Sequence, residues 1–305
     1  MFKASKIMFL YTESSIHPGA GDSTGVVDLP IQREIHTQLP IIQGSELKGA
    51  LREYFEKKYS QNNTEVNLIF GKPSDSLGTG AGGALGFSMS KIVLFPLASL
   101  KGVFAYVTCP MCLESLRQDM NSTASTNLAG SGLDNIPLPG ENTALVPKGS
   151  DSVSINGKIV LSEFPFDCIE NDNLGTIAKW LSERLPGDNK YFKDKLYKKT
   201  GNKIQSNLVL IQDDIFKDLL QIKTEVVHRN VLDDKGISKN LWTEENLPAD
   251  TLLFSMLYAA DPYEESEKIK TAADVAGYLE NEKLSSFIIG GNQTVGRGWV
   301  SVTFA

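Results

Sequence analysis

Strand-like and helix-like apolar periods alternate irregularly along these 305 residues, interrupted by hairpin signals and by long glycine-bearing polar stretches. Strict strand–helix alternation would build a doubly wound parallel sheet. The irregular pattern instead requires an α+β fold with neighbouring antiparallel strands. Residues 6–12 read as a first strand, and 13–44 as a long loop rich in Gly, Ser and Pro. The first clear helix covers 45–59, where Leu47, Ala50, Leu51, Tyr54 and Phe55 recur at helical spacing and Ser45 stands at the cap. Residues 86–96 read as a strand pair, 103–108 and 155–164 as strands, and 110–120, 176–185 and 213–220 as helices. A strongly apolar strand at 251–260 and an amphipathic helix at 271–283 follow. The end of the chain, 287–300, reads as a strand, a glycine-rich loop and a closing strand. A single domain with a ferredoxin-like β-α-β-β-α-β core over 1–305 accommodates this order, with insertions at about 61–84 and 121–149. The glycines at 71–84 suggest a flexible surface loop, and 121–149 an insertion with little structure.

One segment projects from that core. The runs 225–231 and 240–245 flank Asp233-Asp234-Lys235-Gly236, so turn chemistry predicts a hairpin over about 222–248. Its plain reading is a solvated hairpin. Its functional reading is a thumb that wedges into a nucleic-acid strand and carries Glu225, His228, Arg229, Glu244 and Glu245.

Composition sets limits. The chain is 41% hydrophobic and 22% charged, enough apolar residues for a packed core, and its net charge of -7 argues against a freestanding nucleic-acid binder. The acidic balance still permits one local basic groove. The apolar run at 7–10 is too short for a signal peptide, and no stretch reaches the length of a membrane helix. Three cysteines form no disulfide framework, so a cytoplasmic location is expected. Cys109 and Cys112 have C-x-x-C spacing, but no second ligand pair accompanies them. They read as small residues at a strand-to-helix junction rather than a zinc site.

Several places could carry chemistry. Gly44 and Ser45 open a helix bearing Lys48 and Arg52 one turn apart, a setting in which backbone amides favour anions. Gly290, Gly291, Gly296 and Gly298 surround Arg297 but match neither a P-loop nor a dinucleotide fingerprint. Lys190, Lys193, Lys195, Lys198, Lys199 and Lys203 form a basic run that reads first as a solvated helix face. His17 and Asp28 share the 13–44 loop. RNA cleavage needs a 2′-hydroxyl deprotonated and a 5′-oxygen protonated, work that suits an imidazole and a carboxylate. A loop aspartate is also an ordinary turn residue.

At these residues the sequence resembles a known family. His17-Pro18-Gly19, the run Gly25-Val26-Val27-Asp28-Leu29-Pro30-Ile31-Gln32-Arg33-Glu34 and Gly44-Ser45-Glu46-Leu47-Lys48-Gly49-Ala50-Leu51-Arg52 resemble the repeating backbone subunit of the type III-B CRISPR effector, the Cmr complex, in the RAMP superfamily. Residues 95–108 and 290–298 support the match, so it spans the chain. Gln32-Arg33-Glu34 favours the III-B subunit over its III-A relative. The resemblance implies an RRM-like palm with a thumb, and subunits stacked in a helical filament on CRISPR RNA with other Cmr subunits. It also implies cleavage of target single-stranded RNA with a divalent metal (Mg2+ or Mn2+). It places catalysis on Asp28, also the metal ligand, on His17, and on a thumb glutamate among Glu225, Glu244 and Glu245. Guide contacts would fall on Arg33, Gly44, Ser45, Lys48, Arg52, Gly290, Gly291 and Arg297. A guide-binding backbone subunit without nuclease activity, or the related type III-A backbone subunit, is the alternative.

Overall fold

A computed structural model of the chain describes residues 2–59, 63–72, 80–122, 128–185 and 203–305. At its centre, four antiparallel strands stand in the order Trp299–Phe304, Ala4–Thr12, Leu252–Ala259, Ser90–Ala98. With the helices Gly44–Tyr59 and Ala272–Asn281, which follow the first and third strands in sequence, this is the expected β-α-β-β-α-β core. The sheet continues from Ser90–Ala98 through Phe104–Thr108, Leu208–Leu210, Thr143–Pro147, Phe164–Asn171 and Lys158–Leu161 to Ser154–Ile155.

Both faces of the sheet are covered, which explains why its strands read as nearly continuous apolar runs. Met8 and Leu10 point into one core with Leu47, Leu51 and Phe55 of the first helix and Val275 and Leu279 of the last. Ile7, Phe9 and Tyr11 point into the other with Leu113, Leu116, Leu174 and Leu181. Fully burying a side chain of this size contributes about 1.5–3 kcal/mol. Local chemistry sets the helix starts. The Asn171 side chain accepts from the Leu174 N–H, and Thr271 and Asp274 form a reciprocal capping box.

Four expectations are revised. The first helix begins at Gly44, after Gln43, whose carbonyl accepts from the Leu47 N–H; Ser45 lies in the first turn and is not the cap. The 121–149 stretch is not structureless: Leu128 and Leu133 are buried, and Thr143–Pro147 is a sheet strand parallel to Phe164–Asn171. The single strand expected at 155–164 is a hairpin, Lys158–Leu161 against Phe164–Asn171, turning at Ser162 with φ +55°. In the glycine-rich region, Gly71–Lys72 pairs with Ala81–Gly82, and Ala84 and Leu85 are buried, so its ends are anchored.

A two-stranded hairpin lies within residues 222–248. Among the described residues, Glu225–Leu232 and Ser238–Asn246 pair as strands only with each other, over a turn through Asp233 and Gly236. Its base is tied to the central sheet: Asp250 N–H donates to the Thr12 carbonyl at 2.7 Å, and Thr12 Oγ1 donates to the Pro248 carbonyl at 2.8 Å.

Candidate functional site

Three consecutive residues at the root of the thumb, Thr243, Glu244 and Glu245, hold most of the predicted catalytic groups. In a strand, side chains alternate between faces. Thr243 and Glu245 therefore face the 28–33 loop, and Glu244 faces the glycine-rich loop near the C-terminus.

Asp28 is exposed. Its Oδ2 accepts from both the Thr243 N–H and the Thr243 Oγ1 at 2.7 Å, and its own N–H donates back to Thr243 Oγ1 at 2.9 Å. Backbone bonds extend the junction: Leu29 N–H donates to the Thr243 carbonyl and Glu245 N–H to the Leu29 carbonyl. The backbone donor of Thr243, then its hydroxyl, hold the Asp28 carboxyl below the ordinary aspartate range.

His17 is largely enclosed. Its Nδ1 lies 2.6 Å from the Glu245 carbonyl oxygen, which can only accept, so Nδ1 carries the proton and Nε2 is the nitrogen left to act. A Cβ at Gly19 would lie 2.9 Å from that Nε2. Gly290, at φ +82°, passes so close that a Cβ there would sit 2.6 Å from the His17 carbonyl oxygen. Gly19 thus leaves room for the imidazole, and Gly290 for the His17 backbone.

The thumb glutamates differ sharply. Glu245 is buried; Arg33 reaches its Oε1 at 2.5 Å, Thr224 Oγ1 donates to the same oxygen at 2.7 Å, and Ile31 N–H donates to Oε2 at 3.0 Å. Glu244 is also buried, paired with Arg229 at 2.8 Å, bonded by Asn292 Nδ2 and 4.0 Å from His17 Nδ1. Glu225 is the half-buried member and pairs with Arg297 at 3.2 Å. The strand root thus brings together Asp28, His17, Glu244 and Glu245, and leaves Glu225 at the rim with Arg297.

The residues expected on the guide are more dispersed. Arg33 also donates to the Gln38 and Leu220 carbonyls, so it braces the loop internally. Lys48 donates to the Leu85 carbonyl at 3.0 Å, and burial lowers its ammonium pKa. Arg52 pairs with Glu56 and Arg297 also reaches Ser15. Gly44 packs on a strand, since a Cβ there would lie 2.4 Å from the Phe87 carbonyl. Ser45 is exposed. Lys203 is buried with its ammonium 3.2 Å from the Phe104 ring centroid, and Lys190, Lys193, Lys195, Lys198 and Lys199 lie outside the described residues.

A family model described as the RAMP superfamily matches residues 9–301. The chain belongs to the RAMP superfamily. Among relatives, this RAMP chain is 34% identical over 298 residues to the "CRISPR system Cmr endoribonuclease Cmr4" of Pyrococcus furiosus, covering 96% of this chain and 93% of that protein. The crystal structure of oligomeric Cmr4 from the same organism superposes with a TM-score of 0.70 at 28% identity, over 99% of this chain and 98% of that one. A chain of the type III-B Cmr-beta structure bound to cognate target RNA gives 0.75 at 19% identity over 99% and 98%, a likeness of fold.

The RAMP site does not by itself form a metal cage. Asp28 offers one carboxylate with one oxygen already engaged, and among the described residues no three His, Cys, Asp or Glu side chains gather to hold an ion. Cys109 ends the Phe104–Thr108 strand and precedes the helix Pro110–Asn121, the junction expected. Hydrogen bonding to Cys112, and burial, push its thiol up. Sequence reasoning missed Thr243 and Asn292, whose roles depend on partners in distant segments. Trp299 is half-exposed beside Tyr54, Lys57 and Gln293 along an open groove of about 240 Å³.

Proposed function

We infer that this chain is a backbone subunit of a type III-B CRISPR ribonucleoprotein and, within it, an endoribonuclease that cuts target RNA. One observation carries the placement of the chemistry: the exposed Asp28 carboxylate is clamped through Oδ2 to the thumb root, and two residues further along the same strand the Glu245 carbonyl fixes His17. Both Thr243 donors fall on Oδ2, and in this reading Oδ1 is the oxygen that meets substrate. In this reading Asp28 acts at the scissile phosphodiester, and His17 moves a proton through Nε2 during attack by the 2′-hydroxyl. Glu244 and Glu245, each paired with an arginine, form the buried base of the site, with the Glu245 carbonyl on His17 Nδ1 and Glu244 4.0 Å from it.

CRISPR RNA, copies of this chain stacked in a filament and the other Cmr subunits are the proposed partners. Ser45, Lys48, Arg52, Gly290, Gly291 and Arg297 are the proposed guide contacts, which requires Lys48, Arg52 and Arg297 to exchange internal acceptors for phosphates on binding. The divalent cation is likewise a proposal. Asp28 supplies too few ligands alone, so phosphate oxygens of bound RNA would have to supply the others. A cytoplasmic location accords with three free cysteines.

A subunit that binds RNA without cutting it is the second reading, because the Thr243 clamp on Asp28 would also serve as a plain loop anchor. Replacing Asp28 with Ala in the assembled complex separates the two. Cleavage is expected to be lost with target affinity retained, and wild-type cutting by that variant would overturn the catalytic reading.

A further inference from the structure

We propose that Thr243 is a positioning residue for RNA cleavage: its hydroxyl fixes the orientation of the Asp28 carboxylate by donating to Oδ2 while accepting from the Asp28 N–H. The inference rests on the reading of Asp28 as the cleaving group.

The geometry is unusual for an exposed carboxylate. Residues 24–26, just before Asp28, are exposed, and Val26 is 99% exposed, so the loop has little packing of its own to fix a side chain. An aspartate there would ordinarily sample several rotamers. Thr243 removes that freedom with three bonds between the same two residues, at 2.7, 2.7 and 2.9 Å. A hydroxyl carries one donor and two acceptor sites, so one Oγ1 can serve both the carboxylate and the N–H. Valine has the same shape and can do neither, whereas serine can do both. The clamp also has a rigid base, because Thr243 precedes the buried pair Glu244 and Glu245 and lies opposite His228 in the thumb ladder. The second strand of the hairpin thereby holds the carboxylate that the loop carries, and the first strand backs it through the ladder.

A carboxylate misplaced by about 1 Å can lose on the order of 100-fold in rate. Loss of the hydroxyl should therefore lower the cutting rate without weakening target binding. A residue that only stabilised the thumb would lower assembly or affinity instead.

The test uses the assembled ribonucleoprotein with a labelled complementary RNA, measured under single-turnover conditions across complex concentration. Thr243→Val is expected to reduce the rate at saturation by roughly 10- to 100-fold while half-saturation stays within about twofold. Thr243→Ser is expected to cut within about threefold of wild type, since it retains the hydroxyl. The double variant Asp28→Ala with Thr243→Val should be no slower than Asp28→Ala alone, because the two side chains act as one unit. Wild-type rates for Thr243→Val, or equal loss in Thr243→Ser, would overturn the proposal while leaving Asp28 intact as the cleaving group. Wild-type cutting by Asp28→Ala would instead remove the reading on which the proposal rests.

Discussion

The root and the tip of the thumb are built from the same two strands, yet their polarity is inverted. At the root, Glu244, Glu245 and Asn246 are at most 5% exposed. At the tip, Val231, Leu232, Ile237 and Leu241 are all more than 45% exposed. Buried carboxylates carry a desolvation cost of several kcal/mol unless paired, and exposed aliphatic clusters forgo the benefit of burial. The fold accepts both, which teaches that the hairpin is shaped at each end by what it must hold. The root fixes charged groups in one geometry, and the tip leaves apolar side chains exposed.

Breaking the root should produce the largest effect. Glu245→Ala leaves Arg33 facing a vacated site and removes the acceptor for Thr224 and the Ile31 N–H. Loss of one partner of a buried pair costs about 3–5 kcal/mol. Urea unfolding of the isolated chain should show an unfolding free energy lower by that amount, with Glu245→Gln intermediate. A loss below about 1 kcal/mol, the worth of a surface ion pair, would mean that the root is held mainly by its backbone ladder.

A smaller effect is expected where the C-terminal loop closes over the root. Gly290→Ala forces a side chain onto a residue at φ +82° and drives its Cβ toward the His17 carbonyl oxygen. Backbone strain of this kind costs on the order of 1–3 kcal/mol. Because His17 is the neighbour that must give way, cleavage should fall more than stability does. The same change at Gly296, also left-handed at φ +85° but with open space around it, should cost less and leave cleavage near normal. Equal effects at the two positions would show that strain alone, not the contact with His17, matters.

How much of this comparison was legible in the sequence depends on the range of the interactions. The hairpin itself was legible because its turn chemistry is local: Asp233 and Gly236 announce it. The core helices and the apolar strand Leu252–Ala259 were legible from periodicity. The strand Thr143–Pro147 was not, because five residues flanked by polar and glycine positions become a strand only through partners at 164–171 and 208–210. Asp28 and His17 stood out as chemically capable loop residues. Their holders did not: Thr243 lies 215 positions from Asp28, and Glu245 lies 228 from His17. Nor could the sequence say that Arg33 braces Glu245, since an arginine beside a candidate acid reads equally well as a phosphate ligand.

The smallest stability change is expected at the tip, and it sharpens the comparison most. Leu241 is 65% exposed and stands opposite Asn230 in the ladder, so Leu241→Ser removes little buried area. Exposed substitutions of this kind usually lie within about 0.5 kcal/mol of neutral. If the apolar tip serves contact with RNA in the assembled complex, the same substitution should weaken target engagement several-fold, read as a rise in half-saturation with the saturated cutting rate retained. That is the reverse of the split expected for Thr243→Val at the root. Leu241→Ser, tested beside it in one assay, would therefore assign binding to the tip and orientation to the root. A fall in the saturated rate for both variants would dissolve the distinction and make the thumb a single rigid element.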